Sequence, residues 1–123
     1  MAQIIVYGIP NCDTIKKTLT FFTNKKIKIK FWDYKKLGIT NEKLTNWCNN
    51  LGWQALLNKK STSWRALTLG EQEKIIDIDS AIKLMIKNTS IIKRPVIENG
   101  KKILVGLTEL EFKTKFKTKT KIK

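Results

Sequence analysis

The dipeptide Asn99-Gly100 constrains this chain more than any other feature, because it sits between two β-prone runs, Pro95-Val96-Ile97-Glu98 and Lys101 to Val105. Asn and Gly accept a positive φ at little cost, so such a pair turns the chain tightly and makes an antiparallel hairpin. The other end of the sequence demands the opposite pairing. Ile4, Ile5, Val6 and Tyr7 form a short apolar run closed by Gly8 and Pro10, which predicts a buried strand and a turn. From Asp13, the residues Ile15, Leu19 and Phe22 recur at helical spacing and predict a helix ending near Asn24. Ile27, Ile29 and Phe31 then alternate with lysines before Trp32, the pattern of a strand covered on one face. A β-α-β unit needs a parallel pair, so the sheet that contains both ends must be mixed.

Between these ends, the stretch from Thr40 to about Ile86 has helical spacing throughout: Leu44, Trp47, Cys48 and Leu51, then Trp53, Leu56 and Leu57, then Ile82, Met85 and Ile86. Gly52, Gly70 and Asp79-Ser80 punctuate it, the last pair as an N-cap, so three or four short helices are expected. Thr108 and Glu111 have the spacing of a capping box, which starts a final helix carrying Leu110 and Phe116 inward. From Lys113 to Lys123, lysines alternate mainly with Thr in a tail too polar to pack. The order is β-α-β, a helical block, β-β-α. This is an α/β (α+β) chain of thioredoxin-like arrangement: one domain over residues 1–112 with helices inserted at about 40–90, then the basic tail of 113–123.

Composition narrows the chemistry. A chain of 123 residues with 41% hydrophobic content buries enough surface for one core. No secretory leader pattern and no run of about eighteen apolar residues is present, so a soluble cytoplasmic protein is expected. Two cysteines, Cys12 and Cys48, are too few for a secreted disulfide framework, and the absence of His leaves no Cys/His zinc set. The formal net charge of +15 attracts anions, yet the lysines are scattered through every segment and Arg is confined to Arg65 and Arg94. A nucleic-acid site concentrates Arg and aromatics on one face. Compositional drift explains the lysines better, so nucleic acid is expected to bind non-specifically if at all, with no membrane partner and a monomeric state.

Cys12 lies in Gly8-Ile9-Pro10-Asn11-Cys12-Asp13-Thr14, where strand, turn and helix meet. The unpaired N–H groups of a helix start favour an anion, so a thiol placed there ionises more easily and becomes a nucleophile. Cys48, beside Trp47 on an apolar helix face, reads as core filler. Ile15 occupies the place of the second sulfur of a Cys-x-x-Cys pair. A disulfide formed at Cys12 must then be resolved by an outside thiol unless Cys48 can reach it.

Four segments, Val6 to Lys17, Gly52-Trp53-Gln54-Ala55-Leu56-Leu57-Asn58, Ser63-Trp64-Arg65 and Ile91-Ile92-Lys93-Arg94-Pro95, resemble the arsenate reductase/Spx family, and within it the YffB-like branch of glutathione-dependent thiol reductases. The resemblance spans residues 3 to about 112. It implies a thioredoxin-like fold, Cys12 as the redox cysteine, a cis Pro95 facing it, and Arg94 holding an anion beside it. Lys60 falls where several relatives carry Arg, although the adjacent Lys59 could serve equally. Asn11 and Thr14, which flank Cys12 in the motif, join Lys60, Arg94 and Pro95 as candidates for binding the substrate thiol. The implied activity is thiol-disulfide reduction with glutathione as co-substrate, no bound cofactor, and small or protein disulfides as partners. Two other readings stay open: an Spx-like regulator docking on RNA polymerase, and arsenate reduction. Ile15 removes the Cys-x-x-Cys switch usual in the former, and Asn58 and Leu107 replace two of the three arginines that cradle the oxyanion in the latter.

Drift as the origin of the +15 charge has a direct consequence. Duplex DNA should bind weakly and without sequence preference, and its affinity should collapse between about 50 and 200 mM salt, because lysine–phosphate pairing only releases counterions. Filter-binding titrations at the two salt concentrations read this out, and selective binding that survives the higher one would refute it.

Overall fold

The protein is described by a computed structural model covering residues 3–106 and residue 111. Four strands, β1 (Ile4–Gly8), β2 (Ile29–Asp33), β3 (Val96–Asn99) and β4 (Lys102–Val105), form one sheet in the order β2-β1-β3-β4. Strands β1 and β2 are parallel and are joined through helix α1 (Asp13–Asn24), as a parallel pair requires a crossover. The pairs β1/β3 and β3/β4 are antiparallel. Gly100 closes the β3-β4 hairpin with φ of 65°, a conformation that a β-branched residue there would resist. This mixed sheet with its crossover helix is the thioredoxin-like fold.

Strand alternation divides the core in two. Val6 and Ile97 point to one face, where they meet Phe22 of α1. Tyr7, Val96 and Ile103 point to the other, against the helical block. Along α1 the buried residues are Ile15, Thr18 and Phe22, with Leu19 half-buried. Thr18 is tolerated there because its hydroxyl donates to the Thr14 carbonyl at 2.8 Å. Gly8 has no room for a side chain: a Cβ would run into Ile15. The end of β1 and the first turn of α1 are therefore in direct contact.

The helical block is more divided than the apolar spacing predicts. Helix α2 (Tyr34–Leu37) already precedes Thr40, and α3 (Asn41–Leu51), α4 (Trp53–Leu56), α5 (Thr62–Arg65), α6 (Leu69–Glu73) and α7 (Ile78–Lys87) follow, then a 3₁₀ turn at Thr89–Ile91. Thr40, Ser61, Thr68 and Asp77 each cap a new start, and every such cap makes a short helix affordable where a stripe alone reads as one longer element. The cap of α7 is Asp77, not Asp79-Ser80; Ser80 is the reciprocal partner in a capping box, its backbone N–H donating to Asp77 at 2.9 Å. Gly70 lies inside α6 and does not end a helix. Ile86 projects outward at 41% exposure while Ile82 and Met85 are buried, since α7 turns only one narrow stripe inward. Strand β2 begins at Ile29, two residues after the expected start, because Phe22 and Thr23 carbonyls hold Ile27 and Lys26 in the turn that leaves α1. Cys48 is buried beside Trp47. The helix expected from Thr108, with Leu110 and Phe116, and the tail from Lys113 lie outside the described residues. No helix among the described residues is long and apolar enough to cross a membrane.

Helix α3 is fastened to the sheet by a carboxylate. Glu98 of β3 accepts from the Tyr7 hydroxyl at 2.8 Å, from Trp47 Nε1 at 2.8 Å and from Lys43 Nζ at 3.0 Å. Burial works against its charge, but the hydrogen bonds from Trp47, Tyr7 and Lys43 outweigh it and lower its pKa. The Trp47 ring packs edge-on against Tyr7 with centroids 4.8 Å apart, so the polar contact and the apolar one reinforce each other. Because the folded pKa is depressed, the stabilisation is complete above the unfolded value of about 4.3 and is lost as pH falls through the lower folded value. Glu98→Gln should cost about 1–3 kcal/mol at neutral pH by leaving Lys43 without its counter-charge. Urea melts at neutral and acidic pH should show the gap between variant and wild type narrowing below about pH 4; a gap that is constant with pH would show that charge is not involved.

Candidate active site

Cys12 stands where β1 has ended and α1 begins. It is the N-cap residue of α1, in extended conformation (φ −146°, ψ 126°), and its sulfur closes no full capping hydrogen bond. The N–H groups of Ile15 and Thr14 nevertheless lie near enough to stabilise negative charge on it. Partial burial opposes the thiolate; the Ile15 and Thr14 N–H groups and the Arg94 guanidinium outweigh it, and the pKa falls below that of an ordinary thiol. Cys48 experiences burial without compensation, which pushes its thiol up. Neither cysteine is in a disulfide.

The sulfur opens into a cleft of about 510 Å³ whose wall includes Asn11, Lys35, Asn58, Lys60, Ser90 and Arg94. Ser61, Thr62 and Ser63 add hydroxyl groups along one side. Among the described residues three cations and no carboxylate line it, so an anionic ligand gains from each of those charged groups. Arg94 is half-buried and donates from Nη1 to the Ser90 carbonyl at 3.2 Å. Lys60 is carried by a loop that Asn58 shapes: its Oδ1 accepts from the Lys60 N–H at 3.1 Å and its own N–H donates to the Ile91 carbonyl at 2.8 Å. With the Leu57–Ile92 bridge and the Lys93 N–H donating to the Leu56 carbonyl at 2.7 Å, these bonds tie the Lys60 loop to the segment that ends in Arg94.

The fold thus brings Asn11, Cys12, Lys60 and Arg94 to one cleft. Lys59 is separated from Lys60 by its use, since its ammonium lies 5.7 Å from the centroid of the Trp64 ring. Thr14 offers its backbone N–H to the sulfur, and its side chain is not among the lining groups. Pro95 is buried at the entry to β3, also outside the lining, and the Arg94–Pro95 peptide is cis. Sequence reasoning missed Lys35, Ser90 and the buried Tyr34. The Asp33 carboxylate accepting from the Lys35 and Lys36 N–H groups at 3.0 and 3.2 Å marks a helix start that the Trp32-Asp33-Tyr34 run does signal, and that start aims Lys35 at the cleft.

Fold and site together define a thioredoxin-like protein with an activated cysteine at the start of its first helix. The chain belongs to the ArsC family, whose model matches residues 7–114. It is 40% identical over 115 residues to an uncharacterized protein of Haemophilus influenzae, covering 93% of this chain and 99% of that one. Among solved structures, the YFFB (PA3664) protein is 39% identical with a TM-score of 0.84, over 91% of this chain and 97% of that one. An arsenate reductase (ArsC) related protein from Brucella melitensis is 35% identical with a TM-score of 0.76, over 94% and 96% of the two chains.

The electrostatic difference between the cysteines is measurable. Iodoacetamide alkylation of Cys12 followed against pH should show a midpoint below the free-cysteine value of about 8.5, and Arg94→Ala should raise it. Cys48 should react only on unfolding. A wild-type midpoint at or above the free value would mean that the N–H groups and Arg94 fail to activate the sulfur.

Proposed function

We propose that this protein is a thiol reductase that resolves mixed disulfides with glutathione through the single nucleophile Cys12. The observation that carries the reading is the placement of a pKa-lowered sulfur in a cleft of three cations and several hydroxyls. Glutathione presents two carboxylates, which Arg94 can receive as a fork and Lys35 and Lys60 as point charges. The Cys12 thiolate attacks the glutathionyl sulfur of a mixed disulfide; a Cys12–glutathione disulfide forms, and the substrate thiolate leaves and takes a proton from water. The thiolate of a second glutathione then attacks the same glutathionyl sulfur. Glutathione disulfide departs and Cys12 is again a thiolate; the net change exchanges one disulfide for another, the substrate thiol being released as one reduced glutathione is oxidised into glutathione disulfide.

An outside thiol is needed because the local position for a resolving sulfur is filled by Ile15, fully buried against Gly8, and Cys48 sits within the core. The ArsC family match and the likeness to an arsenate reductase (ArsC) related protein support the reductase class, and the burial of Cys48 away from the cleft lining favours glutathione as the resolving partner.

Mass spectrometry after incubation with oxidised glutathione should find one glutathionyl group on Cys12, removed again by reduced glutathione. Cys12→Ser should abolish turnover of a glutathionylated test peptide, whereas Cys48→Ser should keep most of it and cost about 1 kcal/mol of stability through altered packing. A folded Cys48→Ser variant with no turnover would replace this mechanism with an internal resolving pair.

A further inference from the structure

Arg94 reaches the Cys12 cleft from the far end of the chain, on a segment with no regular structure between the 3₁₀ turn and β3. Beyond the backbone bonds that tie it to Leu56, Leu57 and Asn58, that segment is held by the side chain of Tyr34, the first residue of α2, which is fully buried. Its hydroxyl lies 3.4 Å from the Ile92 carbonyl, two residues before Arg94. Arg94 in turn donates to the Ser90 carbonyl, so the stretch from Ser90 to Arg94 is closed on itself while Tyr34 meets its middle residue. We propose that Tyr34 is a positioning residue: its hydroxyl pins the Ser90–Arg94 segment against α2 so that the Arg94 guanidinium faces the Cys12 sulfur. The proposal rests on the reading of Cys12 as a working thiolate.

The chemistry of Tyr34 suits this task. Burial raises its pKa well above the ordinary phenol range, although Arg94 pulls the other way, so the hydroxyl stays protonated and keeps a hydrogen to donate. It therefore acts by geometry and adds no charge beside the thiolate. The charged groups that act on Tyr34 are Arg94, Cys12 and the capping Asp33 of α2, and Lys35 and Lys60 line the same cleft. None of these charged groups hydrogen-bonds the Ile92 carbonyl, so among the described residues the Tyr34 hydroxyl adds a side-chain tie to the backbone bonds on Ile91 and Lys93.

Tyr34→Phe keeps the ring that fills the core and removes the pin. Iodoacetamide reactivity of Cys12 near pH 6 should fall roughly three- to tenfold, with the alkylation midpoint moving upward, as the thiolate fraction declines. Arg94→Ala should do the same, and the double variant should be no slower than Arg94→Ala alone, because the tyrosine acts through the arginine. Equal alkylation of wild type and folded Tyr34→Phe, or full additivity in the double variant, would overturn the proposal. A second readout needs no change at Tyr34: its ring resonances in the wild-type protein should move with the Cys12 titration, and in Arg94→Ala that response should weaken to the direct charge effect of the thiolate. Ring signals that ignore Cys12, or follow it equally without Arg94, would also overturn it. The assay reads the sulfur and not turnover, so a failure of glutathione dependence leaves these outcomes distinct.

Discussion

The antiparallel register between β1 and β3 is the constraint on which the site depends. Tyr7 is opposite Val96 and Val6 is opposite Ile97, so the chain leaving β1 toward Cys12 and the chain entering β3 from Arg94 lie at the same end of the sheet. A slip by one residue would turn the inward faces outward and lose Val6 and Ile97 from one core half and Tyr7 and Val96 from the other. Burial of these side chains, worth about 1.5–3 kcal/mol for each large apolar one, makes the register strict. The meeting of sulfur and guanidinium is thus enforced by packing remote from either.

The Glu98 cluster protects this register from the opposite direction. It joins β1, β3 and α3 with three donors on one carboxylate, leaving no buried side-chain polar atom of the described residues unpaired. Such a network is worth having only when complete, since each half-satisfied member would cost its desolvation. Lys43 serves twice, pairing with Glu98 and lying 5.7 Å from the Tyr7 ring centroid. A lysine in a chain of this charge is ordinarily a solvated surface group; here the sheet selects one for a structural task.

The two cysteines show how position decides chemistry for one residue type. Cys12 follows the turn after β1 and starts a helix, where free N–H groups and an arginine compensate for burial. Cys48 lies on the inner face of α3, where nothing compensates, and its thiol is held protonated. The same contrast applies to Lys59 and Lys60, neighbours in sequence that face an indole ring and a cleft respectively.

Local patterns determined much of this protein without help. The Asn99-Gly100 turn, the α1 stripe and the Gly8 to Asp13 junction are short-range features, so the mixed sheet and a cysteine at a helix start follow from them directly. The resemblance carried by Val6 to Lys17 and Ile91 to Pro95 pointed to the family and to Arg94 as well. What periodicity did not reveal were the caps that divide the helical block: Asp77 with Ser80 departs from the usual capping-box residues, and Thr40 and Ser61 resemble any loop hydroxyl, whereas Thr68 with Glu71 has the ordinary capping-box spacing and was legible in the sequence but overlooked by helical spacing alone. Only the tertiary structure decided that Lys60 rather than Lys59 reaches the cleft, that Lys35 joins it, and that Tyr34 lies beneath Arg94. The reason is physical: those placements rest on long-range hydrogen bonds, Asn58 to Ile91, Lys93 to Leu56 and Tyr34 to Ile92, whose partners exist only after the chain has packed.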